Sequence, residues 1–138
     1  MPFDSYIPTP PLVSLLYRKQ TTFINRELKD VNLSSGLYPL LIKSYKNKGI
    51  SQEELADALN INESTVTRNL DKLEKKGLIT RTPEKRKKII SVTPEGIEIA
   101  QIVMDIDDKW DNTLKKSLTN QEYENFRNIL IKIGEDLK

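Results

Sequence analysis

Between residues 51 and 77 the chain spells two short helices joined by three residues, and that spacing limits the fold more than any other feature. Ser51 and Glu54 form an S-x-x-E capping box, with Ile50 and Leu55 placed as a hydrophobic staple, so a helix is predicted from Gln52. Leu55, Ala56 and Leu59 make its inner stripe. Asn60 tolerates left-handed dihedrals and ends the helix, and Asn62 can cap the next one from Glu63. That second helix carries Val66, Leu70 and Leu73 at spacings of four and three and stops at Gly77, which suits a left-handed C-terminal cap. Small Ala56, where the two helices must cross closely, completes the pattern of a helix-turn-helix.

The residues after Gly77 add a wing. Residues 78–82 and 89–93 are short β-rich runs, and Pro83-Glu84-Lys85-Arg86-Lys87-Lys88 between them predicts a hairpin with a basic tip. Upstream, apolar residues from Leu12 to Leu28 recur at helical spacing, predicting a helix over 11–30. A second helix runs from a cap at Ser34 or Ser35 to about Lys46. Downstream, Thr93-Pro94 opens a long helix, and Thr119 with Glu122, flanked by Leu118 and Tyr123, caps a last one. The expected fold class is mainly α with a small β-hairpin wing (α+β): a winged helix-turn-helix with N- and C-terminal dimerisation helices. We expect 1–138 to be a single domain, with a DNA-binding lobe over 33–96 and a helical dimerisation lobe from 5–32 and 97–138.

Composition removes most chemistry. The 138 residues include no Cys and no His, so disulfides, thiolate metal sites and the commonest general base are absent. No Gly-rich phosphate loop, nucleophile motif or pair of acidic ligands at metal spacing is present, so we expect no enzyme, no cofactor and no metal. No apolar run approaches the ~20 residues that span a bilayer, and the proline-rich start lacks a basic n-region, so the expectation is a soluble cytoplasmic protein without a membrane partner.

The charge is unevenly placed. Residues 1–67 balance to zero and residues 93–138 to −4, whereas residues 68–92 carry nine cations against three acids, a balance of +6. Those cations are Arg68, Lys72, Lys75, Lys76, Arg81, Lys85, Arg86, Lys87 and Lys88, the electrostatic footprint of a polyanion binder, here double-stranded DNA. With Val66, Leu70 and Leu73 turned inward, Ser64, Arg68 and Lys75 point outward, flanked by Thr65 and Lys72 on one side and Thr67 on the other. Ser64, Thr65, Thr67 and Arg68 are expected at base edges or nearby phosphates, and Lys72 and Lys75 at phosphates alone. In the wing, Arg86 suits a minor groove and Lys85, Lys87 and Lys88 the backbone.

The terminal helices carry apolar stripes that the winged module is too small to cover. Tyr123, Phe126, Leu130, Ile133 and Leu137 repeat as a seam for another helix, and Leu12 and Leu16 join them as expected dimerisation residues. The first helix of the same chain could also satisfy that seam. Self-pairing would set two reading helices about one DNA turn apart.

The stretches SQEELADALNINESTVTRNLDKLEKKGLITR and RKKIISVTPEG closely resemble the multiple-antibiotic-resistance regulator (MarR) family of winged-helix transcription factors, and the helix order extends the likeness over nearly the whole chain. One departure stands in the wing, where Glu84 and Arg86 occupy the family's usual Asp-x-Arg. The resemblance implies a homodimer on a roughly palindromic operator, usually a repressor, released by small aromatic or phenolic anions. It also implies an effector crevice near Tyr17, Arg18, Tyr38 and Tyr45. Alternatives left open are a non-specific architectural DNA binder and a winged helix used for protein interaction.

Overall fold

The computed structural model describes residues 6–31, 33–34 and 36–137. Ser5, Asn32, Ser35 and Lys138, which fall in expected segments or caps, lie outside the described residues. The chain divides into two compact units, Met1–Ile106 and Asp107–Lys138, with the division inside one long helix.

In the first unit, α1 (Thr9–Leu28) starts two residues earlier than its apolar periodicity suggested, because prolines need no amide donor in a first turn. It buries Ile24 and Leu28 and runs into a short 3-10 turn, Lys29–Val31. The helix α2 (Tyr38–Lys46) begins later than expected. Pro39 is tolerated only in its first turn, and Leu37 is the N-cap without a side-chain bond. Ser34 therefore does not cap it by side chain; its backbone carbonyl accepts from the Leu37 amide at 3.1 Å.

The next two helices, α3 (Gln52–Leu59) and α4 (Glu63–Lys75), form where capping predicted. Ser51 Oγ accepts from the Glu54 amide at 3.1 Å, but Glu54 does not return the bond, so only half of the expected box is made. Asn60 adopts φ 53° and ψ 47°, and the Ile61 amide reaches back to Ala56 O at 3.0 Å, a Schellman turn that closes the inter-helix link. Asn62 Oδ1 then accepts from the Ser64 amide at 2.8 Å. The end of α4 repeats the device with Gly77 at φ 76°: Leu78 N donates to Leu73 O and Gly77 N to Glu74 O.

Strands β1 (Ile79–Glu84) and β2 (Lys87–Val92) pair antiparallel with Ile79 opposite Val92 and Glu84 opposite Lys87. The ladder is longer than expected, so Pro83, Glu84, Lys87 and Lys88 are in the strands and the tip is only Lys85-Arg86. The wing is anchored at its base, where the Ile90 amide donates to Ile50 O at 3.0 Å and Ser51 bridges Ile89.

The long α5 (Pro94–Lys115) opens as predicted, with Thr93 Oγ1 accepting from the Gly96 amide at 3.0 Å while donating to Gly77 O at 2.7 Å. Ala100, Val103 and Ile106 of α5 join Leu40, Leu41, Leu55, Val66, Leu70, Leu73, Ile79 and Ile90 in one core. This core fixes the helix-turn-helix and the hairpin against each other.

In the second unit, the end of α5 is followed by α6 (Asn120–Asp136). Its capping box is complete: Glu122 N donates to Thr119 Oγ1 at 3.1 Å, and Thr119 N to Glu122 Oε1 at 2.9 Å. Tyr123 is buried within the chain, with the Lys115 ammonium 4.8 Å from its ring centroid.

Candidate nucleic-acid interface

The outward side of α4 is built by what its inward side buries. With Val66, Leu70 and Leu73 fully buried, the helical period leaves Ser64, Arg68, Lys72 and Lys75 on the outer side of the helix, with Thr65 and Thr67 half-buried. Short side chains crowd the N-terminal turn and long cations follow, so the end of α4 that can approach closely carries hydroxyls and the rest carries charge.

Not all of those hydroxyls face outward unengaged. Ser64 Oγ bonds Asn62 Oδ1, and the Arg68 guanidinium lies 3.4 Å from Thr65 Oγ1. Thr67 differs most from the sequence expectation: its Oγ1 donates to Glu63 O at 2.9 Å and accepts from Gln52 Nε2 at 2.6 Å. Thr67 therefore ties the first helix of the motif to the second. Gln52 was not legible as a site residue, because nothing in its local spacing distinguishes it from a helix-surface glutamine.

The wing side chains Lys85, Arg86, Lys87 and Lys88 are all exposed. A cleft of about 230 Å3 is lined by Gln52, Glu53, Glu63, Arg86, Lys87 and Lys88, so the wing and the first residues of both motif helices meet in one place. Lys87 Nζ lies 4.0 Å from Glu54 Oε1, an exposed pair of little energetic weight.

Arg81 departs from the role its charge suggested. It belongs to the +6 stretch, yet its side chain is turned inward and pairs with Asp71 and with Glu74 Oε1 at 3.0 Å. The Arg81 amide also donates to Glu74 Oε2 at 3.2 Å, so one carboxylate holds both backbone and side chain of β1 against α4. The hydrogen bond from Arg81 is the main reason that the Glu74 carboxyl is held below its ordinary value, and the same bond raises the guanidinium. A signal for this existed: Arg81 stands two residues from buried Ile79 and opposite buried Ile90, which puts it on the inward face of the hairpin. With Asp71 and Glu74 matched to Arg81, Glu84 is the remaining acid of residues 68–92.

Of the residues expected at an effector crevice, Tyr17 and Arg18 lie on α1 and Tyr38 and Tyr45 on α2. Tyr17 is 65% exposed, Arg18 is exposed, and Tyr38 and Tyr45 are half-buried. Of the four, Tyr45 lines a cavity of about 220 Å3, beside Ser44 and Ile90.

Of the expected dimerisation residues, Leu12, Leu16, Leu130, Ile133 and Leu137 are exposed, Phe126 is half-buried, and Tyr123 is turned into its own chain. Among the described residues no cluster of three or more possible ligands could hold a metal ion, and no helix is long and apolar enough to cross a membrane.

Known proteins are similar to this chain in sequence and fold. The MarR family model matches residues 33–88. The HTH-type transcriptional regulator BilQ of Clostridium symbiosum is 30% identical over 118 residues, covering 83% of this chain and 82% of its own. A crystal structure of MarR is 31% identical with a TM-score of 0.84, covering 97% of this chain and 93% of its own. The S. aureus MepR–DNA complex superposes with a TM-score of 0.88 at 25% identity, over 96% of this chain and 99% of its own.

Proposed function

Because the chain belongs to the MarR family of transcriptional regulators, we propose that it is a DNA-binding regulator that reads a pseudo-palindromic operator as a homodimer and represses transcription from it. The observation carrying this reading is the cleft in which Arg86, Lys87 and Lys88 of the wing meet the start of α4. A duplex with its major groove on the first turn of α4 would present phosphates and a minor groove to the wing. The relative MepR has been solved with DNA, which supports the same use of the motif here.

Ser64, Thr65 and Arg68 act at base edges, Lys72 and Lys75 at phosphates, and Lys85 to Lys88 at the adjacent backbone and minor groove. Thr67 serves the site indirectly, by fixing α4 on Gln52. Pairing through the exposed apolar residues of α1 and α6 supplies the second reading helix, and the acidic balance of residues 93–138 suits a surface turned away from the duplex. Release by a small aromatic or phenolic anion completes the reading, on the strength of the family likeness.

The test is duplex selection from a random pool followed by competition at one fixed salt concentration. A palindrome bound at least ~10³-fold above random duplex is expected. Equal affinity for both would replace the regulator by an architectural binder. On the selected site, Arg68→Ala should cost ~1–3 kcal/mol and relax preference at one position, whereas Arg86→Ala and Lys87→Ala should weaken all duplexes and flatten the salt dependence.

A further inference from the structure

One side chain at the start of α3 makes one bond and leaves another unmade. Thr67 Oγ1 gives its proton to Glu63 O, so toward Gln52 it can only accept, which fixes the Gln52 amide with Nε2 on α4 and Oε1 turned away. That Oε1 is buried and has no hydrogen-bond partner, a cost that a suitable donor removes. Gln52 lines the cleft of about 230 Å3 together with the wing cations Arg86, Lys87 and Lys88, so donors are close at hand. Strand register singles out one of them. Ser51 bridges Ile89 and the Ile90 amide donates to Ile50 O, and one step further along the same antiparallel pairing sets Gln52 opposite Lys88. Side chains directly opposite in such a pair share a face, with Cβ atoms roughly 5 Å apart. Lys87 is engaged with Glu54 and Arg86 stands at the tip beyond the ladder, whereas Lys88 is exposed and in no ion pair among the described residues.

We infer that Gln52 is a positioning residue that couples the wing to the reading helix once a duplex is bound, with the Lys88 ammonium donating at the same time to a duplex phosphate and to Gln52 Oε1. In the free chain the ammonium is hydrated, and a bond to a neutral amide does not offset the ordering of a four-carbon stem. A phosphate removes that obstacle by holding the ammonium in place, and an ammonium carries three donors, so one remains for the oxygen beside it. The same cleft contains Glu53 and Glu63, both exposed, where pairing with a cation is weakened by water and salt. Gln52 then holds Thr67 of α4 through its nitrogen and Lys88 of β2 through its oxygen, so that reader and wing share one amide. This rests on the proposed duplex binding and assigns within it the residue that makes the two contacts depend on each other.

The experiment is a double-mutant cycle on the full chain with Gln52→Met and Lys88→Met, each of which keeps an unbranched stem and removes the polar head. It is read by affinity for a random duplex at one low salt concentration, since a phosphate contact carries no sequence, and by the melting temperature of the free chain. Lys88→Met is expected to weaken duplex binding about tenfold in the wild-type chain and about twofold beside Gln52→Met, a coupling of about fivefold. The melting temperatures should show no coupling, because the two groups are not bonded without a duplex. Thr67→Val removes the other partner of the amide and leaves Oε1 in place, so Lys88→Met should still weaken binding about tenfold there. A Gln52 that acts only by holding α4 would mute Lys88 in the Thr67→Val chain as well, and that outcome overturns the inference. Independent effects on duplex affinity, or equal coupling in the free chain, overturn it too. Gln52→Asn, which keeps the amide but withdraws it by one methylene, takes the place of Gln52→Met if that variant does not fold. A wild-type chain that binds no duplex overturns the proposed function and this inference together, whereas binding without the coupling overturns the inference alone.

Discussion

At Gly96 there is no room for a side chain. A Cβ there would lie 2.1 Å from the Leu78 carbonyl oxygen and 2.7 Å from Val92 Cγ1. The first of these is backbone and cannot rotate away, so Gly96→Ala must push the first turn of α5 off the hairpin. We expect a loss of about 2 kcal/mol or more in urea unfolding, toward the upper end for overpacking. Lys85 poses the opposite case, a long side chain at φ 58° in the first position of a two-residue turn, where glycine is the usual occupant. Lys85→Gly should leave stability equal or raise it by up to about 1 kcal/mol, while duplex affinity falls with the lost cation. Glu74 gives a pH dependence whose sign is fixed. Its carboxyl titrates below the ordinary 4.5, so the stabilisation from the Arg81 bond is present above that value and disappears as pH falls through the lower folded value. Glu74→Gln should therefore flatten the acid limb of a stability profile below pH ~4.5, and an unchanged limb would show that the clamp does not form in solution.

The elements differ in how openly the chain announced them. Where a helix boundary depends on one side chain and one amide, the residues sufficed: Asn60, Asn62, Gly77, Thr93 and Thr119 all terminate or open helices as their chemistry dictates. The start of α2 was hidden because Pro39 sets it, while serines upstream offered a more conventional cap. The hairpin tip was also overestimated, since Pro83 and the charged residues around it resemble a loop until their pairing partners are known. Arg81 shows the same limit for function, because a cation in a basic run is indistinguishable from its neighbours until the strand's inner face is located. The box of α6 provides the test at this scale. Thr119→Ala should cost ~1 kcal/mol by denaturant unfolding, whereas Glu54→Gln at α3, where the reciprocal bond is missing, should change stability by much less.

For the molecule as a whole, the exposed apolar residues of its terminal helices ask for a partner. Leu130 and Ile133 of α6 remain 52% and 48% exposed in one chain, an arrangement better suited to a covered surface than to water. Ile133→Asp is expected to shift the sedimentation profile to monomer and to lower operator affinity far more than non-specific affinity, since a single subunit reaches only one half-site. A monomeric wild type in the same measurement would sink the self-pairing reading. The Glu74 bonds to Arg81 bear on how such a pair is regulated. One carboxylate accepts from both the amide and the guanidinium of Arg81, and so ties β1 to the reading helix. If two copies pair as proposed, each reading helix and its hairpin would travel as one finger, and a change in the spacing of the two fingers would loosen a duplex without undoing the bonds inside either.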